Sequence, residues 1–352
     1  MKALVLEAYN KLTYKDVPDP DVSPDEVLVK VMACGICGSD VHGMDGSTGR
    51  RIPPLIMGHE ASGVISKTGS NINSWQPGDR VTFDSTIYKL DDWYSKKGMY
   101  NLSDQRMVLG VAPGEYKREG AFAEYISVPA HILYRIPDNV TYYQAAMVEP
   151  IAVAAHAVGL TPLNLNDTAV VVGAGMIGLF IITLLHLAGC GKIIAVDVLD
   201  EKLKMAKTFG ATLCLDAADP RLNEKIQNTS EQRGADIAFD AVGVSDSLNT
   251  ALGALRKGGA LTLVGNLQPV VELPLQIVVT RQISLQGSCA IAGEYSMVLQ
   301  MMSDQKIKVD AVISNIAPLS QGAKWFDKLY SKEKGLVKVL LVPDHVYEGK
   351  NE

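Results

Sequence analysis

No apolar run in these 352 residues reaches the ~20 that a membrane-spanning helix needs. The N-terminus, M-K-A-L-V-L-E-A-Y, carries Glu7 inside its apolar run, so no signal peptide is expected. Lysine and arginine form no dense stripe and the net charge is −6, which argues against a nucleic-acid surface. Cysteine is sparse: five residues, an odd number without framework spacing, fit a reducing compartment, and a cytoplasmic location is expected. Internal repeats are absent. What remains is a chain with ample material for a core, 47% hydrophobic and 20% charged, of a length that suggests about two domains.

The texture changes along the chain. Residues 2–30 alternate as strands do, in K-A-L-V-L-E, L-T-Y-K-D-V and E-V-L-V-K-V. Gly63 to Ile65, Arg80 to Phe83 and A-F-A-E-Y-I-S-V add further strands. From Thr141 the sequence turns helical and alanine-rich, with Pro150 expected to break or kink it. Residues 168–288 alternate strand with helix, the rhythm of a parallel sheet covered on both faces. Beyond Ser288 two helical stretches and a last strand, V-K-V-L-L-V-P, are assigned back to the first domain, and the last few residues are expected to be disordered.

Between Ala33 and Glu60 the chain reads A-C-G-I-C-G-S-D-V-H and then I-M-G-H-E. Cys37, His59 and Glu60 offer sulfur, nitrogen and oxygen, a mixed donor set that zinc accepts. Three protein ligands with one open position mark a catalytic rather than a structural site. Two plainer readings stand beside this one. Cys34 and Cys37 form a lone C-x-x-C, which could be half of a tetrathiolate or a redox pair, although Cys190, Cys214 and Cys289 are scattered and no βαβ setting surrounds it. A buried, satisfied His59 beside a surface Glu60 is the ordinary state of a His-Glu dipeptide.

Gly173, Gly175 and Gly178 form G-A-G-M-I-G, with Met176 and Ile177 between the last two, directly after the strand T-A-V-V-V and at the start of a helix. The first glycine permits a tight turn, the second lets backbone approach a pyrophosphate, and the third allows close packing of helix on strand. The pyrophosphate then meets the helix N-terminus. Asp197 ends the next strand, where a carboxylate can accept from both ribose hydroxyls and would repel a 2′-phosphate; NAD is therefore expected over NADP. Lys202 lies near the same edge, either supporting the ribose or solvated.

With both sites in view, the chain resembles the zinc-dependent medium-chain dehydrogenase/reductase superfamily, in its sorbitol (polyol) dehydrogenase-like branch. C-G-I-C-G-S-D-V-H, M-G-H-E-A-S-G, P-G-D-R-V, G-A-F-A-E-Y, E-P-I-A-V-A-A-H-A and G-A-G-M-I-G occur in family order over nearly the full length. The resemblance implies an α/β fold: a GroES-like β-rich catalytic domain over 1–150 and 290–352, and a Rossmann doubly wound parallel-sheet domain that binds NAD over 151–289. It also implies a metal set of Cys37, His59, Glu60 and Glu149. One thiolate and one carboxylate neutralise Zn²⁺, so Glu60 and Glu149 are expected to exchange with water rather than both bind permanently. Asp40 matches a carboxylate that holds the zinc-binding histidine by its other ring nitrogen. Ser39 matches the hydroxyl beside the substrate oxygen, and His42 a histidine that passes the proton onward.

The implied activity is transfer of a hydride from a secondary alcohol of a polyol or sugar derivative to NAD, giving a ketone. L-threonine 3-dehydrogenase, 2,3-butanediol dehydrogenase and a non-catalytic nucleotide-binding relative are the alternatives. A small-molecule substrate and a homo-oligomer, dimer or tetramer, are expected, with neither nucleic acid nor membrane as a partner. The chain departs from its relatives in three places. Residues 84–110 contain no cysteine where many relatives hold a structural zinc, so one zinc per chain is expected, with Tyr88, Trp93, Tyr94 and Tyr100 packing the lobe instead. Gly43 stands where sorbitol dehydrogenases have an aromatic residue after the relay histidine, and Cys289–Ala292 lack their Arg-Tyr pair. A plain sorbitol pocket is therefore doubtful, and Lys117 and Arg118 are candidates to meet a phosphate or acid group.

Overall fold

The computed structural model describes residues 1–111 and 118–348. Lys117 and the last few residues lie outside them. The chain divides into two compact units, one of Met1–Glu149 with residues 291 onward and one of Pro150–Ala290.

The first unit is built on a seven-stranded sheet. Its path runs Leu133–Arg135, Arg80–Phe83, Glu60–Thr68, Glu26–Gly35, Lys338–Val342 and Ile313–Pro318, and Tyr125–Pro129 also pairs with Glu26–Gly35. Lys2–Ala8 pairs with Lys11–Asp16 and with Leu55–Ile56 in a smaller sheet. Alternation in E-V-L-V-K-V places Val27, Val29 and Val31 in one buried core with Leu4, Leu6, Phe83 and Phe122. The C-terminal segment joins that core: Phe326, on the helix Gly322–Tyr330, meets Phe122 edge to face at 5.7 Å between centroids.

Two boundaries differ from the sequence reading. The helical stretch after Thr141 is two helices, Tyr142–Ala145 and Val148–Gly159. Thr141 opens the first with reciprocal bonds: its amide donates to Gln144 Oε1 (3.0 Å) and its hydroxyl accepts from the Gln144 amide (3.2 Å). Pro150 does not break the second helix; it falls in the first turn, where no intrahelical bond is lost. The strand Ile313–Pro318 was not anticipated, because it is an edge strand with polar Ser314 and Asn315 interrupting its alternation.

The second unit holds six parallel strands in the order Leu213–Asp216, Lys192–Asp197, Thr168–Val172, Ala235–Asp240, Leu255–Leu263 and Ser284–Gly287. Counted along the chain that is 3-2-1-4-5-6, the doubly wound dinucleotide-binding arrangement. All five residues of Thr168–Val172 are buried, as a central strand covered on both faces requires.

Phe122→Ala removes the ring that ties the C-terminal helix to the first unit's core. Denaturant titration should show a loss of about 3–5 kcal/mol; a loss under about 1 kcal/mol would show that the site collapses around the gap.

Candidate metal and nucleotide sites

The strand Glu26–Gly35 runs antiparallel to Glu60–Thr68, with Gly35 opposite Glu60 and Cys34 opposite Ala61. This register brings the turn after Gly35 against the His59-Glu60 pair. A Cβ on Gly35 would lie 2.2 Å from Glu60 Oε2, so only glycine leaves room for that carboxylate. Cys37 then caps the short helix Gly38–Gly43. Donor atoms of Cys37, His59 and Glu60 lie within 4.8 Å of one another. Sulfur, imidazole and carboxylate at this separation suit a zinc ion after a small contraction, and Cys37 is the half-buried member of the three. Cys34 is fully buried and burial pushes its thiol well up, so it behaves as a small core residue.

Two basic side chains that sequence reasoning missed complete the surroundings. Lys338 Nζ donates to Glu60 Oε2 (2.6 Å), Glu60 Oε1 (2.9 Å) and the Ile36 carbonyl (3.0 Å). Lys338 is 3% and Glu60 1% exposed. Burial opposes charge on Lys338, but Glu60 and then Cys37 outweigh it and hold the ammonium above its ordinary value. Arg51 Nη2 donates to Asp40 Oδ1 (2.8 Å), with Nε at 3.3 Å from the same oxygen. Burial opposes ionisation of Asp40 too, yet His59 and Arg51 hold its carboxyl well below the usual carboxylate range. The one sequence signal for Lys338 was a lone lysine in the apolar run V-K-V-L-L-V, which demands a buried partner.

Asp40 Oδ1 lies 3.5 Å from His59 Nδ1, and Asp40 Oδ2 accepts from the Cys37 amide (3.3 Å). His59 is buried; Asp40 and Cys37 outweigh the effect of burial and raise its imidazole well above the ordinary value. Glu149, in the first turn of Val148–Gly159, stands beside the three-donor group rather than in it. Ser85 Oγ donates to its Oε1 (3.2 Å). Burial pushes Glu149 up to about 7, with His59 opposing and Glu60 and Asp84 adding to the rise. Ser39 and His42 are exposed, three apart on one helix and so on one face. Ser39 Oγ donates to Cys37 Sγ (3.3 Å).

In the second unit Gly173 has φ +94°, a conformation that glycine adopts freely. A Cβ on Gly178 would fall 1.8 Å from the Gly173 carbonyl oxygen, the close approach its place in the motif requires. Gly175 caps the helix Met176–Leu187, so Met176 and Ile177 present unpaired first-turn amides. Asp197 is buried; its Oδ2 accepts from the Ala174 amide (2.8 Å) and its Oδ1 from the Leu199 amide (3.0 Å). Two lone pairs remain for a ribose, and the carboxylate also braces the glycine turn. Lys202 Nζ is 3.9 Å from Asp197 Oδ2.

Two expectations need correction. Arg118 is half-buried and engaged by Glu26 and the Ser127 carbonyl, so it is a paired side chain rather than a free anion receptor. Trp93 is 58% exposed and packs on Tyr94 and under Lys97, so it does not hold the cysteine-free lobe; Tyr100 does, stacked on Tyr88 (4.2 Å) and donating to Asp84 (2.7 Å).

Residues 23–138 match the alcohol dehydrogenase GroES-like domain, and 177–304 the zinc-binding dehydrogenase domain. A sorbitol dehydrogenase of Bacillus subtilis (strain 168) is 31% identical over 349 residues, covering 98% of each chain. A D-xylulose reductase A of Aspergillus niger is 32% identical over 336 residues, covering 93% of each. Among solved structures, 2R,3R-butanediol dehydrogenase from Bacillus subtilis superposes with a TM-score of 0.87 at 30% identity, covering 97% of this chain and 99% of that one.

Lys338→Met strands the Glu60 carboxylate in a buried pocket. Metal-free protein should lose about 3–5 kcal/mol, most of it restored by Glu60→Gln in the same chain. Denaturation of the single and double variants checks this, and additive losses would show that the two side chains do not interact.

Proposed function

This chain belongs to the zinc-dependent medium-chain dehydrogenase/reductase superfamily, in its polyol dehydrogenase branch, and from that premise we propose that it oxidises a secondary alcohol of a polyol or sugar derivative to a ketone with NAD. It is an alcohol dehydrogenase of a family that works with zinc and a nicotinamide cofactor. The observation that carries the reading is the convergence of Cys37, His59 and Glu60, braced by Asp40 and Lys338.

When bound, zinc supplies a Lewis acid that makes an alcohol hydroxyl acidic near neutral pH. Cys37, His59 and Glu60 would hold it, and Glu149 would be the further carboxylate available to it in place of Glu60 or water. Its burial supports this part: a group poised between neutral and charged adds little negative charge while waiting. Asp40 fixes the ring of His59 by the nitrogen turned away from the metal. Ser39 takes the proton of the substrate hydroxyl and His42, one turn along the same exposed face, carries it to solvent. Gly173, Gly175, Met176, Ile177 and Gly178 seat the pyrophosphate on the helix N-terminus, and Asp197 with Lys202 receives the adenosine ribose. One zinc per chain is expected, since the lobe of residues 84–110 offers no thiolate.

A homo-oligomer is also supported. Ser284–Gly287 is an edge strand whose four residues are all exposed, and the adjoining helix Leu275–Thr280 buries none of its own. Leu275 (63% exposed), Val279 (68%) and Val270 (83%) form an apolar face that a second copy would cover by pairing along the strand edge. The five free thiols fit a cytoplasmic setting.

Purified protein should carry one zinc per chain by elemental analysis and should reduce NAD faster than NADP across a panel of polyols, sugars, L-threonine and 2,3-butanediol. Absence of zinc together with no turnover on any of them would sink the reading, and the ranking of kcat/KM names the substrate class. For the assembly, Leu275→Lys with Val279→Lys should shift light-scattering mass towards the monomer; an unchanged mass would place the interface elsewhere.

A further inference from the structure

Gly43 and Arg51 explain each other. Gly43 is the position at which sorbitol dehydrogenases carry an aromatic residue. Here a Cβ on Gly43 would lie 2.5 Å from Arg51 Cγ and 3.5 Å from Arg51 Cβ. The space beside the helix Gly38–Gly43 is therefore filled by the aliphatic stem of Arg51, which is 2% exposed. The guanidinium at its end bridges two residues of the site. Nε and Nη2 both reach Asp40 Oδ1 (3.3 and 2.8 Å), and Nη2 also donates to Ser39 Oγ (3.0 Å).

We propose that Arg51 is a positioning residue for the alcohol-oxidising site: it locks the Asp40 carboxylate behind His59 and orients the Ser39 hydroxyl for proton transfer, with Gly43 as the opening that admits it. The Ser39 half rests on the reading of Ser39 as the first proton acceptor.

Asp40 is held from both sides. Its Oδ2 accepts from the Cys37 amide (3.3 Å), while its Oδ1 takes both Arg51 donors and faces His59 Nδ1. A carboxylate pinned this way is kept facing the imidazole, so the ring nitrogen on the far side would stay turned towards a bound metal. Ser39 Oγ accepts from Arg51 and donates to Cys37 Sγ (3.3 Å). One of its lone pairs is thus filled and the other is left to receive the substrate proton. A permanent cation 3.0 Å from Oγ disfavours an extra proton there. In the proposed path Ser39 therefore passes its own proton to His42 as it gains the substrate's, its hydroxyl turning from Cys37 Sγ, with no net change at the oxygen. Lysine cannot reproduce this bridge, because its single ammonium lacks the planar fork that spans two acceptors.

The test compares Arg51→Met, Arg51→Lys, Ser39→Ala and Gly43→Ala in the full-length protein. Cobalt affinity against a chelator and the cobalt–thiolate absorption band report on the metal site without turnover. Steady-state kinetics with a solvent isotope effect report on proton transfer. Arg51→Met should lower cobalt affinity and kcat each by roughly 10–100-fold and leave the KM for NAD unchanged; in a Ser39→Ala background it should lower cobalt affinity by the same factor but cost less kcat than it does alone. Arg51→Lys should recover cobalt affinity more than kcat. Gly43→Ala, which displaces the Arg51 stem while keeping its charge, should move both readouts the same way by a smaller factor. Parental cobalt affinity and spectrum in Arg51→Met would overturn the proposal, and a kcat loss from Arg51→Met that Ser39→Ala leaves undiminished would overturn its Ser39 half. A parental rate in Ser39→Ala overturns the proton path itself and the Ser39 half of this inference with it; the cobalt readout, which does not depend on Ser39, tells the two failures apart.

Discussion

The buried pair of Lys338 with Glu60 is the constraint on which the first unit depends. Three carboxylates, Asp40, Glu60 and Glu149, are packed around one imidazole and one cysteine, and such a cluster cannot stay folded with its charges unopposed. Lys338 opposes Glu60, Arg51 opposes Asp40, and burial raises the pKa of Glu149. The pocket is thus near balance before any metal arrives. A zinc ion held by Glu60 would share that carboxylate with Lys338.

The same pair explains why the first unit is discontinuous in sequence. Lys338 opens the strand Lys338–Val342, which pairs antiparallel with Glu26–Gly35 so that Leu340 lies opposite Gly35 and Leu341 opposite Cys34. The Ile36 amide continues the ladder to the Val339 carbonyl (3.0 Å). The last strand of the chain therefore does two jobs with one register: it extends the sheet, and it delivers an ammonium to the floor of the metal site. The Rossmann unit needs no such closure. Its site is assembled within 25 residues, from the glycine turn to Asp197, and hydrogen bonds from Gly173 to the Val196 carbonyl and from Ala174 to Asp197 join the two ends.

That difference decides what could be read in advance. G-A-G-M-I-G and Asp197 were legible because strand, turn, helix and next strand are local, and each glycine has a backbone reason to be there. Cys37, His59 and Glu60 were legible as donor types, and Asp40 as their support, because short motifs carry them. Lys338 and Arg51 were not, since each acquires meaning only through contacts: one through a partner 278 residues away, the other through a stem that passes over Gly43. Gly43 itself was noticed for the aromatic ring it lacks. What takes that room became visible only with the fold.

The cysteine-free lobe carries the argument one step further. A structural zinc holds a loop by bonds whose strength owes nothing to burial, so a chain without it has to replace that anchor with packing and hydrogen bonds. Here Asp84 accepts from the Tyr100 hydroxyl and the Thr86 amide, and burial pushes its carboxyl up to about 6. Tyr100 stacks on Tyr88, which meets His131 at its edge, and Tyr134 stacks on Tyr295 from the C-terminal segment. Ser85, adjacent to Asp84, holds Glu149. The replacement anchor therefore runs on to the carboxylate of Glu149. Asp84 and Ser85 are adjacent, so the residue that anchors Tyr100 and the residue that holds Glu149 share one strand-end turn.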